Sequence, residues 1–221
     1  MEIDTSYIFV QTAIYSSLIL VLVSAVKFNV IRRDYTFFLF FVSLLLTATI
    51  GDVILRPKFI SKNNNLIYNV YTMIELPVCV YILDQFHFKK ISKTIYIAFG
   101  AIFYSIIFFE IYQSGISKSF YITNYIASFL EIAISIYTLF DLLENPNESL
   151  IYKSVPFWFS LGFLLYNAGT TFLFLLLDKL YSLDQTFASV AFFTLNSIFS
   201  ILFYIFLAIS ILCLKPKTLS S

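Results

Sequence analysis

Long stretches of apolar residues, each close to 20 residues in length, constrain the fold of this chain more than any other feature of its sequence. A helix of about 20 residues crosses a bilayer core of roughly 30 Å, and it satisfies its own backbone hydrogen bonds in lipid. Charged residues make up only 12% of the chain, whereas soluble domains carry roughly 25%. The sequence therefore predicts an all-α fold, a polytopic membrane bundle of seven transmembrane helices.

The seven predicted spans occupy nearly the whole chain and are separated by short polar loops. They are Tyr7–Val26, Tyr35–Leu55, Leu66–Phe86, Thr94–Tyr112, Phe120–Phe140, Pro156–Leu177 and Thr186–Leu214. Because no loop is long enough for a soluble domain, we expect residues 1–221 to form a single transmembrane domain without a kinase or nucleotide-binding portion. The net charge is +1 with no polybasic segment, so we expect membrane lipids, and not nucleic acid, as partners.

Basic residues are distributed unequally between the two sides of this predicted bundle. Nine lie on one side, namely Lys27, Arg32, Arg33, Lys89, Lys90, Lys93, Lys153, Lys215 and Lys217. Five lie on the other side, namely Arg56, Lys58, Lys62, Lys118 and Lys179. Because cytoplasmic loops are enriched in Lys and Arg, this distribution predicts an N-terminus outside the cell and a cytoplasmic C-terminus.

Acidic residues inside the predicted spans are the strongest indication of a functional site. Glu75 and Glu131 fall near the middle of the third and fifth spans, and Asp52 falls in the outer third of the second. A charged residue at the bilayer centre costs roughly 2.5–3.5 kcal/mol on insertion scales, and no Lys or Arg lies deep in a span to pair with these acids. We therefore expect neutral carboxyls that hydrogen-bond polar neighbours, or carboxylates that bind a proton, a cation or a cationic ligand.

Polar residues at helical spacing supply candidate partners for these carboxyls. Tyr71, Thr72 and Glu75 share one face of the third span, and asparagines in the third, sixth and seventh spans add further hydrogen-bond donors. The candidate ligand- or proton-binding residues are therefore Glu75, Glu131, Asp52, Asn69, Thr72, Asn167 and Asn196. A second interpretation stays open, in which the same residues form interhelical hydrogen bonds that only hold the bundle together.

Several kinds of active site and cofactor site cannot be built from this sequence. The chain has one histidine, His87, which excludes a zinc site of three histidines and leaves a membrane Ser–His dyad without its base. No lysine lies in the middle of the last span for a retinal Schiff base, and no glycine-rich phosphate-binding loop is present. We expect no cofactor, no metal and a role that is not enzymatic, although two carboxyls could still act as a general acid and base.

Two stretches of the sequence resemble a known group of proteins. They are LIYNVYTMIE at Leu66–Glu75, and PFWFSLG followed by LYNAG within Pro156–Gly169. They resemble uncharacterised bacterial seven-helix membrane proteins, which are in turn similar to the seven-transmembrane sensor regions of histidine kinases. The resemblance covers nearly the whole chain. It implies a multi-pass protein of the bacterial inner (plasma) membrane, a signalling role and a separately encoded histidine kinase as partner.

Together these features predict an integral membrane sensor or accessory signalling protein that binds a small or lipid-like ligand within its helix bundle. One alternative is a small proton- or cation-coupled transporter or channel that uses the same acids. A further alternative is a carboxylate-based intramembrane lipid hydrolase. A shared site requires that Glu75, Glu131 and Asn167 converge on one water-accessible cavity. If Glu75 and Glu131 instead point to different interfaces, each buried against a single Asn or Ser, there is no such site.

Overall fold

A computed structural model describes residues 5–34, 65–86, 92–116, 118, 120–145 and 150–215, and these residues form helices and no strand. The helices are α1 (Thr5–Val26), α2 (Phe28–Asp34), α3 (Asn65–Phe86), α4 (Lys93–Ser114), α5 (Tyr121–Glu144), α6 (Val155–Leu183) and α7 (Gln185–Leu212), with a 3-10 turn at Ile151–Lys153. Four of them, α4 to α7, are long and apolar enough to cross a membrane. The all-helical fold class is confirmed, and these four helices have the character that a membrane protein requires.

The helix bounds agree closely with the apolar stretches of the sequence. α1 and α3 to α7 coincide with six of the predicted spans, whereas the second span, Tyr35–Leu55, lies outside the described residues. The largest difference is at α6, which continues to Leu183 and not only to the predicted end at Leu177. Charged residues such as Lys179 end an apolar stretch without ending a helix, and α6 stops only where Asp184 adopts an extended backbone.

Short side chains and a glycine mark the ends of particular helices. Ser92 precedes α4, and its Oγ accepts a hydrogen bond from the backbone N–H of Ile95 at 3.4 Å. Asp184 precedes α7, and its Oδ1 accepts from the backbone N–H of Phe187 at 2.9 Å. Both are N-caps that satisfy N–H groups without a partner inside the helix. Gly115 ends α4 with a φ of 79°, a backbone conformation that favours glycine.

Pro77 lies inside α3 and removes one of its backbone hydrogen bonds. Proline has no backbone N–H, so the carbonyl of Met73, four residues earlier, has no partner within the helix. The hydroxyl of Tyr104 on α4 donates to this carbonyl at 3.1 Å. A neighbouring helix thus satisfies the freed group, which is how membrane helices tolerate proline, and α3 continues to Phe86.

Contacts between side chains and backbone fix the relative directions of the helices. α6 and α7 form an antiparallel hairpin joined by Asp184, while α7 also packs along α1 and α6 packs along α5. The Lys27 amine, just after α1, donates to the carbonyl of Leu214, just after α7, at 3.2 Å, so α1 and α7 run in the same direction. Thr72 donates to Asn124 Oδ1 at 3.1 Å near the beginnings of α3 and α5, so these two helices are also parallel.

Buried apolar side chains form two clusters, and α3 contributes to both. The main core includes Leu20, Cys79, Ile82, Leu83, Phe159, Phe163, Phe203, Leu207 and Ile211. The second core comprises Leu76, Val80, Phe103, Ile107, Phe120 and Ala127. Glu75 lies on α3 directly before Leu76 of the second core and one turn before Cys79 of the main core. Glu75 therefore shares the helix face of Cys79.

Candidate functional site

Glu75 on α3 accepts a hydrogen bond from a tyrosine one turn earlier on the same helix. The Tyr71 hydroxyl donates to Glu75 Oε1 at 2.5 Å, as the i, i+4 spacing of the two residues predicts. Both side chains are half-buried. The Tyr71 hydroxyl also lies within electrostatic reach of Tyr166 on α6 and Tyr204 on α7. Three helices thus bring tyrosine side chains to the neighbourhood of this carboxyl.

Glu131 on α5 is bound to an asparagine of the neighbouring helix. Asn167 Nδ2 on α6 donates to Glu131 Oε2 at 2.8 Å, and it also donates to the backbone carbonyl of Phe163 at 3.0 Å. Glu131 and Asn167 are each 4% exposed. The hydrogen bond therefore joins α5 to α6 inside the bundle, where the low dielectric constant strengthens it relative to a bond in bulk water.

Glu75 and Glu131, which we call the carboxyl pair, lie within electrostatic reach of each other. The two carboxyls are close enough for their charges to interact, and Cys79 lies within the same range of both. The helix register agrees with this proximity. Since Thr72 lies beside Asn124 in the parallel helices α3 and α5, Cys79 is roughly level with Glu131, and Glu75 is about one helical turn nearer the beginnings of the two helices.

No basic side chain in the described part of the chain pairs with either member of the carboxyl pair. In the same residues, no three His, Cys, Asp or Glu side chains converge as the ligands of a metal ion would. Two carboxylates in an apolar interior repel each other, and a shared proton or a bound positive group removes that repulsion. The arrangement can therefore hold a proton, a small cation or the cationic group of a larger ligand.

Asn69 and Thr72, which the sequence also indicates as site residues, make their hydrogen bonds away from the carboxyl pair. Asn69 Nδ2 donates to the carbonyls of Ile116 at 2.8 Å and Lys118 at 2.6 Å. Its Oδ1 accepts from the backbone N–H of Phe120 at 3.3 Å. These three bonds fix the connection between α4 and α5 on α3, while Thr72 joins α3 directly to α5. Their observed contacts are those of residues that hold helices together.

The remaining two predicted site residues are not brought to the carboxyl pair by any described contact. Asp52 lies outside the described residues. Asn196 is half-buried on α7, and its backbone carbonyl accepts a hydrogen bond from Ser200 Oγ at 2.9 Å. Within the described ranges, no hydrogen bond joins the Asn196 side chain to Glu75 or Glu131. Of the seven candidates, Glu131 and Asn167 are joined by a hydrogen bond, and Glu75 lies within electrostatic reach of Glu131.

Asp84 and Ser135 are examples of buried polar residues that were not among the predicted candidates. Asp84 on α3 is 5% exposed and lies against Tyr96 of α4. Ser135 on α5 is fully buried, one turn after Glu131. Asp84 lies four residues after the buried Val80, and Ser135 lies four residues after the buried Glu131, so each continues the buried face of its helix. This periodicity is the sequence signal that could have indicated them.

Comparison of the chain with protein-family models, curated proteins and solved structures finds no match. What the chain does must therefore be inferred from the residues of the site itself. Among the described residues, the carboxyl pair with Tyr71 and Asn167 is the arrangement best suited to binding.

Proposed function

We propose that this chain is an integral membrane sensor or accessory signalling protein whose helix bundle binds a small or lipid-like ligand at the carboxyl pair. The observation that carries the proposal is that Glu131 and Asn167 are hydrogen-bonded and that Glu75, on a third helix, lies within electrostatic reach of Glu131, with no basic partner among the described residues. Two acids in an apolar interior are costly to retain, and a single acid would suffice for one interhelical bond. The expected ligand carries a positive charge or several hydrogen-bond donors.

The proposal includes a seven-span bundle in the bacterial inner membrane, with the N-terminus outside and the C-terminus in the cytoplasm. The directions of the helices support the number of spans. α1, α3, α5 and α7 run one way while α4 and α6 run the other, as alternate crossings of a membrane require. The excess of Lys and Arg on the side of the C-terminus supports the orientation.

The helices that bind the ligand are tied to the proposed cytoplasmic end of the bundle. α6 carries Asn167 and begins at that end, where Ser210 of α7 donates to the carbonyl of Val155 at 3.0 Å. The bond between Lys27 and Leu214 joins α1 to α7 at the same end. A ligand that separates Asn167 from Glu131 would change the packing of α6 on α5, and this change would reach the surface that a cytoplasmic kinase contacts.

The partner in this proposal is a separately encoded histidine kinase. Its test is affinity purification of the tagged full chain from cross-linked native membranes, followed by quantitative proteomics and an autophosphorylation assay. We expect a histidine kinase to be enriched, and its autophosphorylation to change with Glu131→Gln but not with Glu144→Gln, an exposed carboxyl at the end of the same helix. Purification that finds no signalling partner would contradict the proposal.

A second function, proton- or cation-coupled transport, is favoured by the different burial and the different levels of Glu75 and Glu131 in the bundle. Glu75 is half-buried while Glu131 is 4% exposed. Glu75 is thus the less completely buried residue of the two, and it lies about one helical turn nearer the beginnings of α3 and α5, so the two carboxyls occupy successive levels along the bundle. Flux of protons and of monovalent cations into proteoliposomes tests this function, with Glu75→Gln, Glu131→Gln and Glu144→Gln compared. Flux that is absent, or that is unaltered by the first two changes, would exclude coupling at this site.

A further inference from the structure

One buried serine hydroxyl on α5 and another on α6 have no hydrogen-bond partner among the described residues. Ser135 on α5 and Ser160 on α6 are each 0% exposed, and neither Oγ is bonded. Their neighbour Thr138 shows the usual solution, because its hydroxyl donates to the carbonyl of Ile134 one turn earlier, at 2.9 Å. Buried hydroxyls are almost always satisfied by protein or by bound water, so these two serine hydroxyls are candidate positions for water binding.

The helix register places both hydroxyls on the faces that meet at the bond between Glu131 and Asn167. Ser135 follows Glu131 by four residues and Ser160 precedes Asn167 by seven, and both spacings keep a side chain on the same helix face. Because α5 and α6 are antiparallel, both steps lead toward the end of the bundle where α6 begins. At 1.5 Å per residue, Ser135 and Ser160 lie roughly 6 Å and 10 Å from the level of that bond.

Glu75 lies on the opposite side of Glu131, about one turn nearer the beginnings of α3 and α5. The order along the bundle is therefore Glu75, Glu131, Ser135 and Ser160. We call Glu131, Asn167, Ser135 and Ser160 the polar seam. Phe159, directly before Ser160, and Phe163, three residues after it, are fully buried. On this side of Glu131 the seam offers only single uncharged hydroxyls. Such groups bind water and offer nothing to fix a charged organic molecule.

We propose that the polar seam holds bound water and forms a hydrated path for protons between Glu131 and the end of the bundle where α6 begins. In the proposed orientation this is the cytoplasmic end. The inference rests on the proposed function, since it names the proton as a ligand that reaches the carboxyl pair. Glu131 exchanges protons through the seam, and Glu75 lies beyond Glu131, on the side away from Ser135 and Ser160.

The experiment uses the full chain with Cys79→Ala and Cys213→Ala, to which Ser135→Cys or Ser160→Cys is added. Ala208→Cys is the matched control, since Ala208 is 5% exposed on α7 in the main core, outside the seam. Silver ions are applied in water, and thiols that remain free are then labelled with a maleimide after unfolding. A thiol reacts as its thiolate, which needs water to form, so we expect both seam variants to react at least about tenfold faster than the control. Equal rates at all three positions would overturn the proposal.

Thermal unfolding of Ser135→Ala and Ser160→Ala gives an independent measurement if a cysteine variant fails to fold. Removal of a hydroxyl that binds water should lower the Tm, because the water loses a partner. Removal of a dry, unsatisfied hydroxyl should leave the Tm unchanged or raise it, and that result in both variants would overturn the proposal. Neither measurement depends on signalling. If the seam cysteines react quickly but Glu75→Gln and Glu131→Gln do not change kinase autophosphorylation, the hydrated path stands and the sensor function is excluded.

Discussion

Glu110 on α4 accepts hydrogen bonds from both the backbone N–H and the hydroxyl of Thr123 in the first turn of α5, the former at 3.0 Å. Its other carboxyl oxygen accepts from the backbone N–H of Ile122 at 2.9 Å. Phe120, the residue before α5, has no side chain that could cap the helix. A carboxylate from one helix therefore caps the next, and the favourable interaction of a negative charge with a helix N-terminus adds to these bonds.

This cap predicts a large effect of Glu110→Ala on stability. Two backbone N–H groups would lose their acceptor in a buried setting, so the free energy of unfolding should fall by about 1–3 kcal/mol. Glu110→Gln keeps one acceptor oxygen and should cost less. The measurement is denaturant-induced unfolding in detergent micelles, with Glu144→Ala, an exposed position at the far end of α5, as the control. A Glu110→Ala variant as stable as that control would contradict the capping role.

The hydrogen bond from Tyr104 to the Met73 carbonyl should contribute more to stability when Pro77 is present than when it is replaced. Tyr104→Phe removes the side-chain donor to this carbonyl, so the variant should be destabilised by about 1 kcal/mol. Pro77→Ala restores a backbone N–H that can bond the same carbonyl. Tyr104→Phe should therefore cost clearly less in the Pro77→Ala background. Unfolding of the parent, the two single variants and the double variant measures this coupling, and strictly additive effects would show that Tyr104 does not compensate for the proline.

The elements within one helix were predictable from the sequence, while the contacts between helices were not. The lengths of the apolar stretches predict the helices. The i, i+4 spacing predicts that Tyr71 and Glu75 share a helix face, where the structure shows them hydrogen-bonded. The bond between Glu131 and Asn167 joins residues 36 positions apart, and periodicity indicates which face each occupies but not which helix that face meets. Asn69 illustrates the consequence. It lies near Glu75 in the sequence of α3, yet its partners belong to the connection between α4 and α5.

Close packing of α6 against α7 limits the size of the side chain that position 169 can carry. A Cβ at Gly169 would lie 2.5 Å from ring atoms of Phe199 on α7, so Gly169→Ala requires the ring to move. Overpacking of this kind costs roughly 1–3 kcal/mol. Gly100→Ala on α4 is the matched control, because a Cβ there has no neighbour within 4 Å and alanine is the better helix former. We expect a lower Tm for the first variant and an equal or higher Tm for the second. Equal Tm values for the two variants would mean that the Phe199 ring moves aside without loss of stability.

The contact between Asn167 and Glu131 allows structural bonding to be separated from ligand binding. Asn167→Leu leaves the buried Glu131 carboxyl without its described partner, so stability should fall by about 1–3 kcal/mol. Asn196→Leu on α7 is the matched control, since no described hydrogen bond involves the Asn196 side chain, and its effect should be small.

Replacing both partners, as Asn167→Leu together with Glu131→Leu, removes the bond and the buried carboxyl at once. Apolar replacement of both members of a buried pair can be nearly neutral, so the double variant should recover much of the stability that Asn167→Leu loses. If the pair exists only to hold α5 and α6 together, this recovered variant should also retain the activity of the parent. If Glu131 binds a ligand or a proton, the double variant should fold well and yet lose the kinase response or the ion flux. Unfolding and activity measured on the same preparation distinguish the two, and a double variant less stable than Asn167→Leu would show that the bond alone does not account for the burial of Glu131.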